Sequence, residues 1–412
     1  MTLTNIDDRE KNICLSLFIP TAIMGFINFS GQYAIVSILF IAVFLLYIDD
    51  RRFIKIASSP PLLIWLLLTL YHCFNAYAKN VPGVDAIDFL RGLKIYACIA
   101  IFTYWATIDF KKTVNILILT YCLRCAIVII LAISFSSYQV EERITGVGNS
   151  ATGLGQMAAM IGIFVVYLNV FSRVGIKNNI LLLILPIAVI ILAMTRNALA
   201  MIMISVLTIA FMMVQKRNEF SIMRIIPVLL LFIIMALQAM DFLKTTHFGQ
   251  RFSSSYSEES YFYAQNATGT IFDTIVGDRL IYYVMGWDFF TKHPITGIGM
   301  WNYKHLAHSY YPLHSEYMVH LCEGGIIGMS LWLLFIIIVF GIIWKYAPNA
   351  QYRMAALSSM AVILFCGIYA REFYMEFFYP PYGLILSFYF GTRLNRNKKL
   401  IYTLRRRLRL NN

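Results

Sequence analysis

The sequence predicts an all-α polytopic membrane protein of about twelve transmembrane helices, with one long external loop that carries an amphipathic helix. Three observations predict it. First, 59% of the 412 residues are hydrophobic and only 13% are charged, whereas soluble chains are roughly 45–50% apolar and about 25% charged. Second, the apolar residues gather into runs of the length a helical span needs, about 20 residues. Third, the basic residues fall mainly on alternate connections between those runs. About 243 apolar positions cannot be hidden in one or two soluble cores, because such cores stop growing and the chain splits into domains. A soluble enzyme, a disordered chain, a coiled coil and a disulfide-stapled secreted domain are therefore excluded.

The first residues, MTLTNIDDREKN, are polar and lack a small-residue cleavage site behind an apolar core, so no cleaved signal peptide is expected. Apolar runs then occur at 13–29, 31–48, 59–78, 92–108, 114–135, 152–172, 179–195, 197–214, 222–241, 320–344, 354–370 and 378–392. The stretch 179–214 is too long for one span and divides at Thr195-Arg196. The chain reads as nine helices in 1–241, an external loop at 242–317, three helices in 318–392 and a basic tail at 393–412. Loops that long are usually functional or hold structure of their own. Within this one, Asp278–Thr291 (DRLIYYVMGWDFFT) repeats apolar and aromatic residues on a helical period, as expected of a helix lying on the membrane surface.

Placing the amino terminus in the cytoplasm puts 22 Lys and Arg on the inner side and 11 on the outer, with Arg124 inside a span. Every short inner loop is then basic, as the positive-inside bias requires. Both termini are expected in the cytoplasm. The net charge of +13 reflects this bias rather than a nucleic-acid partner, and the tail RRRLRL is expected against anionic headgroups. The seven cysteines lie in or beside apolar stretches. Cys122 and Cys125 form a C-x-x-C in mid-run, far from a second pair, and read as packing rather than a redox or zinc motif.

Charges at or inside a bilayer are expensive and are usually functional or paired. Four outer arginines stand out: Arg196 at the turn of the paired spans, Arg279 at the start of the amphipathic helix, Arg143 in EERITGVGNSAT and Arg371 in REFYME. For Arg143 and Arg371 the plainer explanation is pairing with neighbouring glutamates, and for Arg196 it is anchoring at the interface. Arginines facing one outer surface suit a diphosphate, whose oxygens the guanidinium fork binds bidentately. Six of the seven histidines, His247, His293, His305, His308, His314 and His320, lie in or just after the long loop. His305 and His308 could share a helical face and bind a metal, but no carboxylate cluster accompanies them. A general base is the better reading for one of the six.

At His314 the string HSEYMVHLCEGGIIG places nine residues between Ser315 and Gly325, and Gly328 follows. This resembles the H-[NSQ]-x9-G-x-x-G pattern of the O-antigen ligase and polymerase superfamily. DRLIYYVMGWDFFTKHPITGIGMWNY resembles the segment before that histidine, with Arg279 at the expected arginine. RITGVGNSATGLGQMAAMIGI resembles an earlier loop and span. The resemblance covers about residues 140–345. One departure is that Leu199 stands three places after Arg196, where family ligases carry leucine at the fourth.

The resemblance implies a GT-C-like membrane glycosyltransferase of the bacterial inner membrane, acting on the periplasmic face without metal, nucleotide or other cofactor. The implied donor is an undecaprenyl-diphosphate-linked glycan. The implied acceptor is lipid A–core or a second lipid-linked glycan. His314 would be the catalytic base and Arg196 and Arg279 would bind the diphosphate, with Arg143 and Arg371 as secondary candidates. Gly324, Gly325 and Gly328 would let the tenth span pack closely. Two competing readings are a carboxylate-type metal-dependent glycosyltransferase using Asp85 and Asp88, and a polysaccharide transporter or flippase without chemistry. Against the latter stand the uneven loop and the lack of paired repeats.

Overall fold

The computed structural model describes residues 50–82, 86–134, 139–140, 143–144, 151–171, 181–193, 195–216, 280–308, 313–369 and 379–391. The expected spans at 13–29, 31–48 and 222–241, most of the long loop and the basic tail lie outside them. The long helices are α2 (Pro60–Ala78), α3 (Ala86–Ile108), α4 (Phe110–Ser134) and α5 (Ala151–Phe171). After a 3-10 turn come α6 (Ile184–Leu192) and α7 (Arg196–Lys216). The second half holds α8 (Leu280–Lys292), the short α9 (Tyr303–Leu306) and α10 (Glu316–Met318), then α11 (Gly325–Tyr346), α12 (Ala350–Gly367) and α13 (379–391). Helix α8 falls where the amphipathic helix was expected, and α6 and α7 part at Thr195-Arg196 as the length argument required.

Among the described residues, four helical stretches are long and apolar enough to cross a membrane: Pro60–Ala78, Phe110–Ile130, Thr152–Phe171 and Gly325–Tyr346. Helix α11 is apolar around its whole circumference. It buries Trp332, Phe335, Ile336 and Val339 on one face and exposes Leu333, Leu334, Ile337 and Trp344 on another, a surface that suits lipid rather than water.

The core centres on α5, which is buried from Gly153 to Tyr167 and packs against α4, α6, α7 and α12. Small residues permit the approach. A Cβ on Gly162 would lie 2.8 Å from Ser205 Oγ of α7, and Gly155 meets Thr195 in the same way. Helix α7 is bonded to α12 by Thr208 Oγ1, 2.9 Å from Ser358 Oγ. A second layer joins α2, α11 and α13 through Trp65, which packs edge-on to Phe335 (4.7 Å between centroids) and Tyr379 (6.1 Å).

Three details differ from the sequence reading. The segment around Arg51 and Lys55, expected as a basic loop, forms the short helix α1 (Asp50–Ala57). It buries Ile56 and is tied to α3 by the Tyr96 hydroxyl on Ala57 O (2.7 Å). The loop holding Arg143 contains a two-residue antiparallel ladder, β1 (Gln139–Val140) with β2 (Arg143–Ile144), so local pairing interrupts the helical fold. His305 and His308 do not share a helical face, because α9 ends at Leu306 and His308 is left-handed (φ 48°).

Candidate functional site

The tenth apolar run does not begin as an ordinary helix. Ser315 is extended (φ −150°) and starts α10, with its hydroxyl oxygen accepting from the Met318 N–H. A π-helical turn follows at Val319–Glu323, and Gly325, the first residue of α11, is left-handed (φ 66°). Such a break strands carbonyl groups, which deep in a membrane protein must find partners. They do. The N–H groups of Ile298 and Gly299 donate to Cys322 O and Glu323 O, each at 3.0 Å. The Ile326 N–H returns a bond to Pro294 O at 2.8 Å. The loop 294–299 is thus zipped onto the start of α11.

Helix α2 clamps this junction from outside. Asn75 Nδ2 donates to Thr296 O (2.6 Å) and Glu323 O (3.1 Å), and the Tyr71 hydroxyl donates to Gly324 O (2.6 Å). The glycines therefore do more than allow close packing. A Cβ on Gly324 or Gly328 would lie 2.7 or 3.3 Å from His72 Cε1 of α2. Gly325 is needed for its conformation, since its Cβ would also collide with the Ile295 carbonyl.

His314 lies in the non-helical segment Leu313–Ser315, just before the junction. It is partly exposed between buried neighbours, and the Tyr282 ring of α8 meets it edge-on (5.4 Å, 81°). Tyr282 in turn packs on Tyr303 of α9. Ser315 fixes the next residue: its hydroxyl donates to Tyr283 Oη (2.9 Å), which donates to Ile368 O beyond α12 (3.1 Å). Burial pushes the Tyr283 phenol up to about 12, partly offset by the Ser315 hydrogen bond. Tyr283 therefore remains a neutral donor across the physiological range.

Arg196 opens α7, four residues after the last residue of α6, and Arg143 sits in β2 opposite Val140. Arg279 precedes the first residue of α8 and, like Arg371 and Asp85, lies outside the described residues. Asp88 is in the first turn of α3.

Sequence reasoning missed a buried chain of three side chains behind His314. His72 Nε2 is 3.0 Å from His320 Nδ1, and His320 Nε2 is 2.9 Å from Glu316 Oε1. Trp332 stacks on His320 (5.4 Å, 24°). The overlooked signal was the seventh histidine, His72, which shares an otherwise apolar run with Asn75 three residues on.

The fold and junction define a multi-pass helical membrane protein with a partly exposed histidine where a connecting segment enters an apolar helix. Residues 181–333 match the family model described as O-antigen ligase. That match bears out the resemblance to the O-antigen ligase and polymerase superfamily. It supports a ligase- or polymerase-type glycosyltransferase role acting on lipid-linked glycans in a membrane. No curated protein matches the chain.

Proposed function

We propose that the protein is an inverting, metal-independent glycosyltransferase of the bacterial inner membrane. It moves an undecaprenyl-diphosphate-linked O-antigen-type glycan onto a hydroxyl of lipid A–core. The observation that carries this reading is His314. It is partly exposed in a non-helical segment, is braced by Tyr282, and belongs to a stretch matching an O-antigen ligase model. In this reading the chain crosses the membrane twelve times, with both termini cytoplasmic and the 242–317 loop periplasmic.

The chemistry follows from residue types. A neutral imidazole at His314 takes the proton of the acceptor hydroxyl as that oxygen attacks the anomeric carbon. The bond from that carbon to the diphosphate oxygen breaks on the opposite face, so configuration inverts. Arg196 and Arg279 hold the diphosphate and balance the charge growing on the leaving oxygens. Arg143 and Arg371 are secondary contacts to the donor. Repeat-unit polymerisation within the same superfamily is the second reading. The position of Leu199, one place earlier after Arg196 than in family ligases, favours it.

The test is transfer by the purified chain in lipid, with a defined diphosphate-linked donor and either lipid A–core or a second lipid-linked unit as acceptor. The wild-type product distinguishes ligase from polymerase. His314→Ala should lower the rate at least about 100-fold, the lower range for loss of a general base. A variant near the wild-type rate would remove His314 from the mechanism.

A further inference from the structure

Resting on the reading of His314 as the base, we propose that His72 is a positioning residue for transfer. It acts through His320 and Glu316 on the segment that carries His314. The three side chains form one continuous string from α2 to the first residue of α10, with contacts of 3.0 and 2.9 Å. Both histidines are 0% exposed and Glu316 is 1% exposed. Glu316 stands two residues after His314, and Ser315 between them is held by its cap and by Tyr283.

The hydrogen-bond roles leave little freedom. Where Glu316 is a carboxylate its oxygen accepts, and His320 Nε2 donates to it. Between the two rings, one facing nitrogen bears a hydrogen and the other does not. The tautomer of each ring is thereby tied to its neighbour, as an outer partner orients a working imidazole. The rings are also caged. Trp332 covers His320, and the missing Cβ atoms of Gly324 and Gly328 leave the space that His72 Cε1 fills.

Docking α2 onto the junction does not require this string. Asn75 and Tyr71 already bond three carbonyls of the loop and the junction. Two imidazoles and a carboxylate cost several kcal/mol to bury, and apolar side chains of similar size would pack the same space more cheaply. Their presence among apolar helices points to a task beyond packing. The string ends at Glu316, so any shift of His72 reaches the turn that sets the direction of His314. Displacing a reacting group by about 1 Å can cost about 100-fold in rate.

The experiment compares His72→Leu and His72→Gln in the full chain in nanodiscs. Glutamine retains a polar nitrogen near the position of Nε2, whereas leucine does not. Two quantities are read: transfer kinetics with the diphosphate-linked donor, and the rate at which diethyl pyrocarbonate modifies His314, followed by mass spectrometry of its peptide. The expected result for His72→Leu is kcat down by about tenfold or more with donor KM within about twofold. Its His314 modification rate should also change by at least about threefold, consistent with a moved imidazole. His72→Gln should recover most of both. The proposal is overturned if His72→Leu keeps wild-type values for both, or if His72→Gln behaves as His72→Leu does. A wild-type chain that transfers no glycan would refute the functional reading instead. The modification rates alone would then decide whether His72 positions His314.

Discussion

The junction glycines allow the packing to be tested quantitatively. Gly324→Ala adds one methyl group. Its carbon would lie 2.7 Å from His320 O, 2.7 Å from His72 Cε1 and 3.0 Å from Gly328 Cα. Two of these neighbours are backbone and the third is a ring held by His320, so none yields easily. Relief requires movement of a good fraction of an ångström on opposing sides, and overpacking of that kind costs about 1–3 kcal/mol. At Gly328 the nearest atoms lie at 3.1 and 3.3 Å, so alanine there should cost about 1 kcal/mol or less. Gly341 faces nothing within 4 Å in the same helix. Alanine there should stabilise by about 0.5–1 kcal/mol through lower chain entropy. The Gly324 and Gly341 variants should then differ by about 1.5–4 kcal/mol. At about 2 °C per kcal/mol for a long chain, their midpoints separate by at least about 3 °C. The assay is retention of monodisperse protein in detergent after graded heating. Equal midpoints for these two variants, or a Gly328→Ala midpoint below that of Gly324→Ala, would refute the assignment of close approach at the junction.

Two further outcomes follow from the same contacts. Asn75→Leu leaves the Thr296 and Glu323 carbonyls without the amide of α2 and should cost about 1–3 kcal/mol. It should lower the midpoint and speed proteolysis within 293–299, and an unchanged protein on both counts would show that the clamp is dispensable. In an alkaline absorbance titration, Tyr283→Phe should remove one phenol ionising near 12 and none near 10. Because the folded value is raised, the stability tied to the neutral phenol is complete below pH 10 and is lost as the pH climbs towards 12. The variant should lose less stability than wild type across that window, and a lost signal centred near 10 would contradict burial of Tyr283.

The long helices were legible because burial in lipid demands length and apolarity, both of which a sequence displays directly. The expected runs at 59–78, 114–135 and 152–172 coincide with α2, α4 and α5 to within a few residues. Helix α1 was not legible, being eight residues long with four of them charged. His314 stood out as a candidate from a local motif because the features of that motif lie within fifteen residues. The string behind it could not, because His72 and His320 are 248 positions apart and only the folding of α2 against α11 unites them. The motif glycines were visible, but their purpose was not. Spacing suggests helix packing, whereas the structure divides the work between room for His72 at Gly324 and Gly328 and a left-handed residue at Gly325.

The histidine and the glycines of the motif serve one construction. An uninterrupted helix through 316–325 would satisfy its own carbonyls and present no acceptors to the loop. The π turn and the left-handed Gly325 expose the carbonyls of Cys322, Glu323 and Gly324. The loop takes two of them, and α2 bonds the last two. Each bond compensates for the break and also fixes the loop 294–299, which leads from α8 towards α9, against the membrane helices. Since α8 supplies Tyr282 to His314 and Tyr283 to Ser315, the position of the proposed base is set by the same bonds that repair the helix. Closing the break with a regular helix would therefore stabilise the span locally and release the histidine from its support, which is why the irregular turn belongs to the site rather than to its periphery.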